Sequence, residues 1–116
     1  MNIQILKNSP QRRDLLDTGA VAKPLSTPAC TTSALALDSV AGHKMGVWET
    51  TAGSYERQVV NAEFMHILSG RCTFTPDGGK PLLIEAGDIV FFPARTTGRW
   101  DMEETLRKVY VVLPEA

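Results

Sequence analysis

EFMHILSG, residues 63–70, is an apolar run that opens on a carboxylate, carries one of only two histidines of the chain three residues later, and closes on a Ser-Gly turn. It reads as part of a β-strand. Successive side chains of a strand take opposite faces, so Glu63, Met65 and Ile67 share one side while Phe64, His66 and Leu68 share the other. Glu63 and His66 therefore cannot ligate one ion unless a bulge intervenes.

From about residue 42 the same texture continues in both directions as KMGVWET, RQVVN, EFMHILSGRCTFT, PLLIE, DIVFFP, TGRWDM and RKVYVVL. These runs are separated by turn signals: Ala52-Gly53, Ser69-Gly70, Pro76-Asp77-Gly78-Gly79, Ala86-Gly87-Asp88 and Pro93. Short antiparallel strands of this number must close up or pack face to face to protect their edges, which predicts an all-β sandwich or barrel. Residues 1–40 are different. They are rich in Pro, Ser, Thr and Ala and follow neither period, so they read as an extended arm packing on the barrel or on a partner subunit, with one short helical turn around QRRDLLD. The expected division is an arm over 1–40 and a barrel over 41–116.

A chain of 116 residues has room for one core. Its 12 Lys and Arg balance 13 Asp and Glu to a net charge of -1, and neither sign forms the block that tracks a phosphate backbone, so nucleic acid is not an expected partner. The N-terminus lacks the apolar core of a secretory signal and no segment is long and apolar enough for a membrane span, so the expected location is the cytoplasm. Cys30 and Cys72 form no CxxC and read as two free thiols, buried or partly buried.

The punctuation resembles that of the cupin superfamily, a small β-barrel of jelly-roll type. Glu63, six residues and Gly70 fit the second half of its first motif, and Gly87 to Pro93 fits the start of its second. Trp48-Glu49, Glu63-Phe64, Leu68-Ser69-Gly70, Gly87-Asp88, Phe92-Pro93, Gly98-Arg99-Trp100 and Lys108 are together similar to the small cupins related to the ureidoglycine aminohydrolase domain. The likeness covers about residues 44 to 113 and implies a jelly-roll with Glu63 facing inward. In metal-binding cupins a His-x-His pair would fall at Arg57 and Val59, or at Glu56 and Gln58, and a further histidine near Gly98. None of these is histidine, so no metal and no other cofactor is expected.

With Glu63 inward, His66 reads as an outward residue against another sheet or a partner, and His43, beside a glycine at a strand start, as a surface residue. On the last strand Lys108, Tyr110 and Val112 share a face. An ammonium inside a barrel needs a carboxylate, and Glu63 is the candidate. The functional reading makes Glu63 a general acid or base, Lys108 an anchor for a carboxylate, carbonyl or phosphate, and Tyr110 a further donor. The other reading is a buried ion pair that sets strand register, or a lysine reaching solvent at the barrel mouth. Trp48, Trp100, Phe92 and Met65 suit the apolar wall of a pocket or an ordinary core. Arg57 suits the mouth, facing an anionic substrate, or a solvated strand face.

The expectation is thus a homodimeric cupin-type barrel with a small-molecule pocket. It is either an enzyme acting on a polar ureide, amide or carbohydrate-derived metabolite, or a non-catalytic binding, sensing or structural domain.

Overall fold

The alternation of large apolar and polar side chains after residue 42 produces strands at each place it predicts them. The computed structural model describes residues 2–115 and contains β1 (Leu16–Ala20), β2 (Thr31–Ala36), β3 (Lys44–Thr50), β4 (Gly53–Val59), β5 (Glu63–Ser69), β6 (Arg71–Pro76), β7 (Leu82–Glu85), β8 (Ile89–Phe92), β9 (Thr96–Met102) and β10 (Leu106–Val112). They form two sheets, a six-stranded one in the order β1-β2-β3-β10-β5-β8 and a four-stranded one in the order β4-β9-β6-β7. All pairings are antiparallel. The fold is an all-β jelly-roll, as the sequence implies. Among the described residues no helix is long and apolar enough to cross a membrane.

Two elements differ from the sequence reading. The run EFMHILSGRCTFT folds as two strands in different sheets, β5 and β6, because the chain turns at Gly70 with φ of +96°. A Cβ there would also stand 2.4 Å from the Thr105 carbonyl oxygen, so only glycine fits. RQVVN is the end of a longer strand, β4, that starts at Gly53 and stops at Val59.

The segment before residue 41 is extended and contributes two strands. β2 pairs with β3, placing Ala34 opposite Trp48 and Leu35 opposite Val47, and β1 pairs with β2 at the sheet edge. These strands escape a periodicity reading because they bury little: every residue of β1 is exposed. Between them the chain crosses to the other sheet and lies against β4, where Glu56 N–H donates to the Lys23 carbonyl (3.0 Å) and Leu25 N–H to that of Ser54 (2.9 Å). No helical turn forms around QRRDLLD; Gln11 closes a turn on Asn8 and β1 begins at Leu16. This stretch is tied down by Arg107, whose guanidinium donates to the carbonyls of Ser9 and Arg12 and to Glu49.

The core lies between the sheets. Met65 and Ile67 of β5 meet Cys72 and Phe74 of β6, Phe92 of β8, Trp100 and Met102 of β9 and Leu106 of β10. Phe74 is its centre, with ring centroids 4.7 Å from Phe92 and 4.9 Å from Trp100. Each such side chain contributes about 1.5–3 kcal/mol by leaving water. Cys30 and Cys72 are buried and free. On β5 the buried residues are Glu63, Met65 and Ile67, so His66 is on the outer face. That face carries exposed apolar side chains, Phe64, Ile89 and Phe91.

Candidate functional site

Glu63 starts β5 and Lys108 lies in the first half of β10, its hydrogen-bonded neighbour. The Lys108 stem runs along the inner face, and Nζ donates to Glu63 Oε2 at 2.7 Å. Both side chains are nearly excluded from solvent, at 10% and 6% exposure. Trp48, the cross-strand partner of Lys108 on β3, puts its ring centroid 4.5 Å from Nζ, and the Trp100 ring lies at 6.0 Å. Aromatic faces and a carboxylate thus replace the water that the ammonium gives up. Burial nonetheless pushes the Lys108 pKa below its ordinary value, with Glu63 pulling the other way.

The pair borders a cavity of about 820 Å³, open at one end, between the sheets. Glu63, Lys108, Tyr110 and Trp48 line it from the six-stranded side along with Met65 and Phe92, while Arg57 and Trp100 line it from β4 and β9. The structure therefore brings every candidate residue to one space. Met65, Phe92 and Trp100 serve also as core, all three being buried. Tyr110 is half-buried, and desolvation, reinforced by the Glu63 charge, raises its phenol pKa. Arg57 is an exposed residue on the inward face of β4, opposite Gly98.

Sequence reasoning missed two contributors. Tyr55 lies beside Arg57 on the same face, but fell outside the strand expected to begin at Arg57. Its alternation with Arg57 and Val59 was the available signal. The crossover from Ala20 to Lys23 forms part of the wall, and its composition carries no sign of that role.

Two facing antiparallel sheets enclosing an open-ended pocket make a jelly-roll, the architecture of the cupins. The chain belongs to the EutQ-like cupin domain family, whose model matches residues 38–110. It is similar in structure to a DUF861-family protein of unknown function from Pseudomonas syringae pv. tomato, at a TM-score of 0.77 and 24% identity, covering 85% of this chain and 44% of that one. The chain thus spans less than half the length of that relative. It is also similar to EutQ of Clostridium difficile, with a TM-score of 0.67, 16% identity and coverage of 79% and 76%. A DUF861-family protein of Thermotoga maritima shares 33% identity over 58% of this chain and 76% of its own, with a TM-score of 0.57. No curated protein matches the chain.

Many cupins hold a metal, and the residues here do not fit one. Val59, at a ligand position of that pattern, is packed in the core. Gly98, at another, has no room for a side chain: a Cβ would fall 2.5 Å from Phe74 Cζ and 2.5 Å from the Thr75 carbonyl oxygen. Glu63, the remaining ligand type, is held by an ammonium. Among the described residues no three His, Cys, Asp or Glu side chains are grouped to hold an ion.

Proposed function

We propose that the protein binds and transforms a small polar metabolite in the barrel, using Glu63 and Lys108 in place of a metal. The observation that carries this reading is the location of the ion pair. A pair serving strand register alone would be enclosed by core on all sides, whereas this one borders an open cavity. Lys108 anchors a carboxylate, carbonyl or phosphate oxygen, Tyr110 donates a further hydrogen bond, and Glu63 gives or takes a proton. Trp48, Trp100, Met65 and Phe92 supply apolar walls, and Arg57 guards the mouth. The likeness to ureidoglycine aminohydrolase cupins, from Trp48-Glu49 to Lys108, supports ureides, amides or carbohydrate-derived compounds as substrates.

A thermal-shift screen of such compounds tests this, since a ligand that binds only the folded chain raises its melting temperature. Shifts that vanish in Lys108→Met and Glu63→Gln support the site, and their persistence in both variants overturns it. Turnover of a shifted ligand separates an enzyme from a binding or sensing module. We further propose a homodimer, favoured by the Phe64–Phe91 cross-strand pair exposed on the outer face of the larger sheet. A monomer by sedimentation velocity at micromolar concentration overturns it.

A further inference from the structure

Tyr55 is only 5% exposed, yet its hydroxyl has no hydrogen-bond partner among the described residues. No side-chain polar atom of those residues is both enclosed and unpartnered, so this oxygen has free space beside it, and Tyr55 is one of the residues that line the cavity. Trp100, directly opposite Tyr55 on β9, repeats the pattern: it is 3% exposed, lines the same cavity, and its Nε1–H finds no protein acceptor among the described residues. Arg57 is the next residue along that face, and its own cross-strand partner is Gly98, which offers no side chain. Its guanidinium makes no ion pair or hydrogen bond within the described residues. Across the cavity Glu63 offers an acceptor: Lys108 takes Oε2, and Oε1 makes no hydrogen bond among the described residues.

The charges single out Arg57. Glu63 offsets Lys108, whereas Arg57, at the mouth, makes no ion pair among the described residues. Lys23 and Arg99 are matched in number by Glu56 and Asp77, and Asp101, which engages Arg99 at 2.9 Å, brings the whole to balance, so Arg57 is set apart by its lack of a partner. Donors that have no protein acceptor and are not enclosed are available to a ligand that supplies acceptors.

We infer that Tyr55, Trp100 and Arg57 form an oxyanion-receiving side of the cavity, so that the ligand is a small anion with a carboxylate or phosphate at one end and an N–H or O–H donor for Glu63 at the other. The inference rests on the reading of the barrel as a ligand pocket. It adds Tyr55 and the indole N–H of Trp100 as binding groups, and it fixes which way round the ligand lies: of the oxygens that Lys108 can anchor, the carbonyl is the one left to it, the oxyanion lying opposite. Burial raises the Tyr55 phenol pKa despite the opposing pull of Arg57, so the hydroxyl keeps its proton and remains a donor at neutral pH.

Calorimetric titration of the full chain with malonamate, its neutral isostere malonamide, and inorganic phosphate tests the inference. Malonamate is expected to bind at least about tenfold more tightly than malonamide, and Tyr55→Phe, which removes one oxygen and keeps the ring, to weaken malonamate about tenfold with malonamide unchanged. Arg57→Met, at an exposed position, is expected to abolish the preference for charge without affecting folding. Tighter malonamate than phosphate identifies a carboxylate ligand, and the reverse a phosphate; both support an oxyanion. Malonamide binding as well as malonamate, a Tyr55→Phe variant indistinguishable from wild type, or no binding by either anion overturns the inference. The pocket reading fails separately, if Lys108→Met leaves the affinity of every bound probe unchanged.

Discussion

Lys108 reaches Glu63 diagonally: on the β5–β10 ladder Glu63 stands opposite Val112, four residues along from Lys108, and the two side chains extend toward each other to put Nζ 2.7 Å from the carboxylate. It passes Met65, whose Sδ is 3.9 Å from Nζ. The stem is thereby packed along the inner face, and the charge is delivered to the cavity and not to the strand ladder.

Removing one member of this pair strands the other charge in a nearly dry site. Lys108→Met and Glu63→Gln are each expected to cost about 3 kcal/mol, and the double variant clearly less than their sum. Urea unfolding of the four proteins measures the coupling. Additivity within about 0.5 kcal/mol contradicts a working pair.

Gly98→Ala places a methyl group against Phe74 and the Thr75 carbonyl, both at 2.5 Å. The expected loss is about 1–3 kcal/mol from overpacking. Phe74→Leu in the same chain relieves only the ring contact, so it should recover part of the loss and no more. Unchanged stability of Gly98→Ala would show that β9 shifts freely, against the packing described.

Arg107 holds the stretch before β1 through the carbonyls of Ser9 and Arg12. In Arg107→Met, amide hydrogen exchange over residues 4–14 should accelerate at least tenfold while that of β5 changes little. Equal acceleration in both places would mean that Arg107 supports the whole sheet and does not act as a local tether.

Burial pushes the Cys72 thiol up to about 12, against the opposing pull of Lys108. The folded pKa lies above the unfolded one, so the thiol contributes stability that is intact below about pH 8.5 and lost as pH rises toward 12. Tyr55 and Cys30, also raised by burial, act with the same sign. Lys108 acts with the opposite sign, because its folded pKa is lowered and its burial cost is relieved at high pH. Cys72→Ser isolates one contribution: its stability should fall less steeply than that of wild type across this window, by at most about 1.4 kcal/mol per pH unit. Parallel curves would place the thiol in contact with water.

The strands from β3 onward were legible because each alternates a large apolar residue toward one shared core. The ion pair was legible for a related reason: Glu63 and Lys108 are charged residues within apolar alternation, where each needs the other. β1 and β2 were not, since Leu16–Ala20 and Thr31–Ala36 are short, rich in Thr and Ala, and held more by backbone bonds to a neighbour than by side-chain burial. Tyr55 was missed through a strand boundary, which hydrogen bonding to β9 sets and composition does not. The closure of the metal position by Phe74 depends on a contact between different strands, and so required coordinates.

The cavity wall formed by Ala20, Val21, Ala22 and Lys23 lies outside residues 38–110, the span that defines family membership. The Glu63–Lys108 ion pair and the residues opposite it lie inside that span. The walls of the cavity are therefore drawn from separable lengths of chain, and exchange of the leading segment alone would reshape one side of the space while leaving Glu63 and Lys108 in place. Trimming the protein to its recognisable domain would leave those groups in place and remove a side of the vessel that holds them.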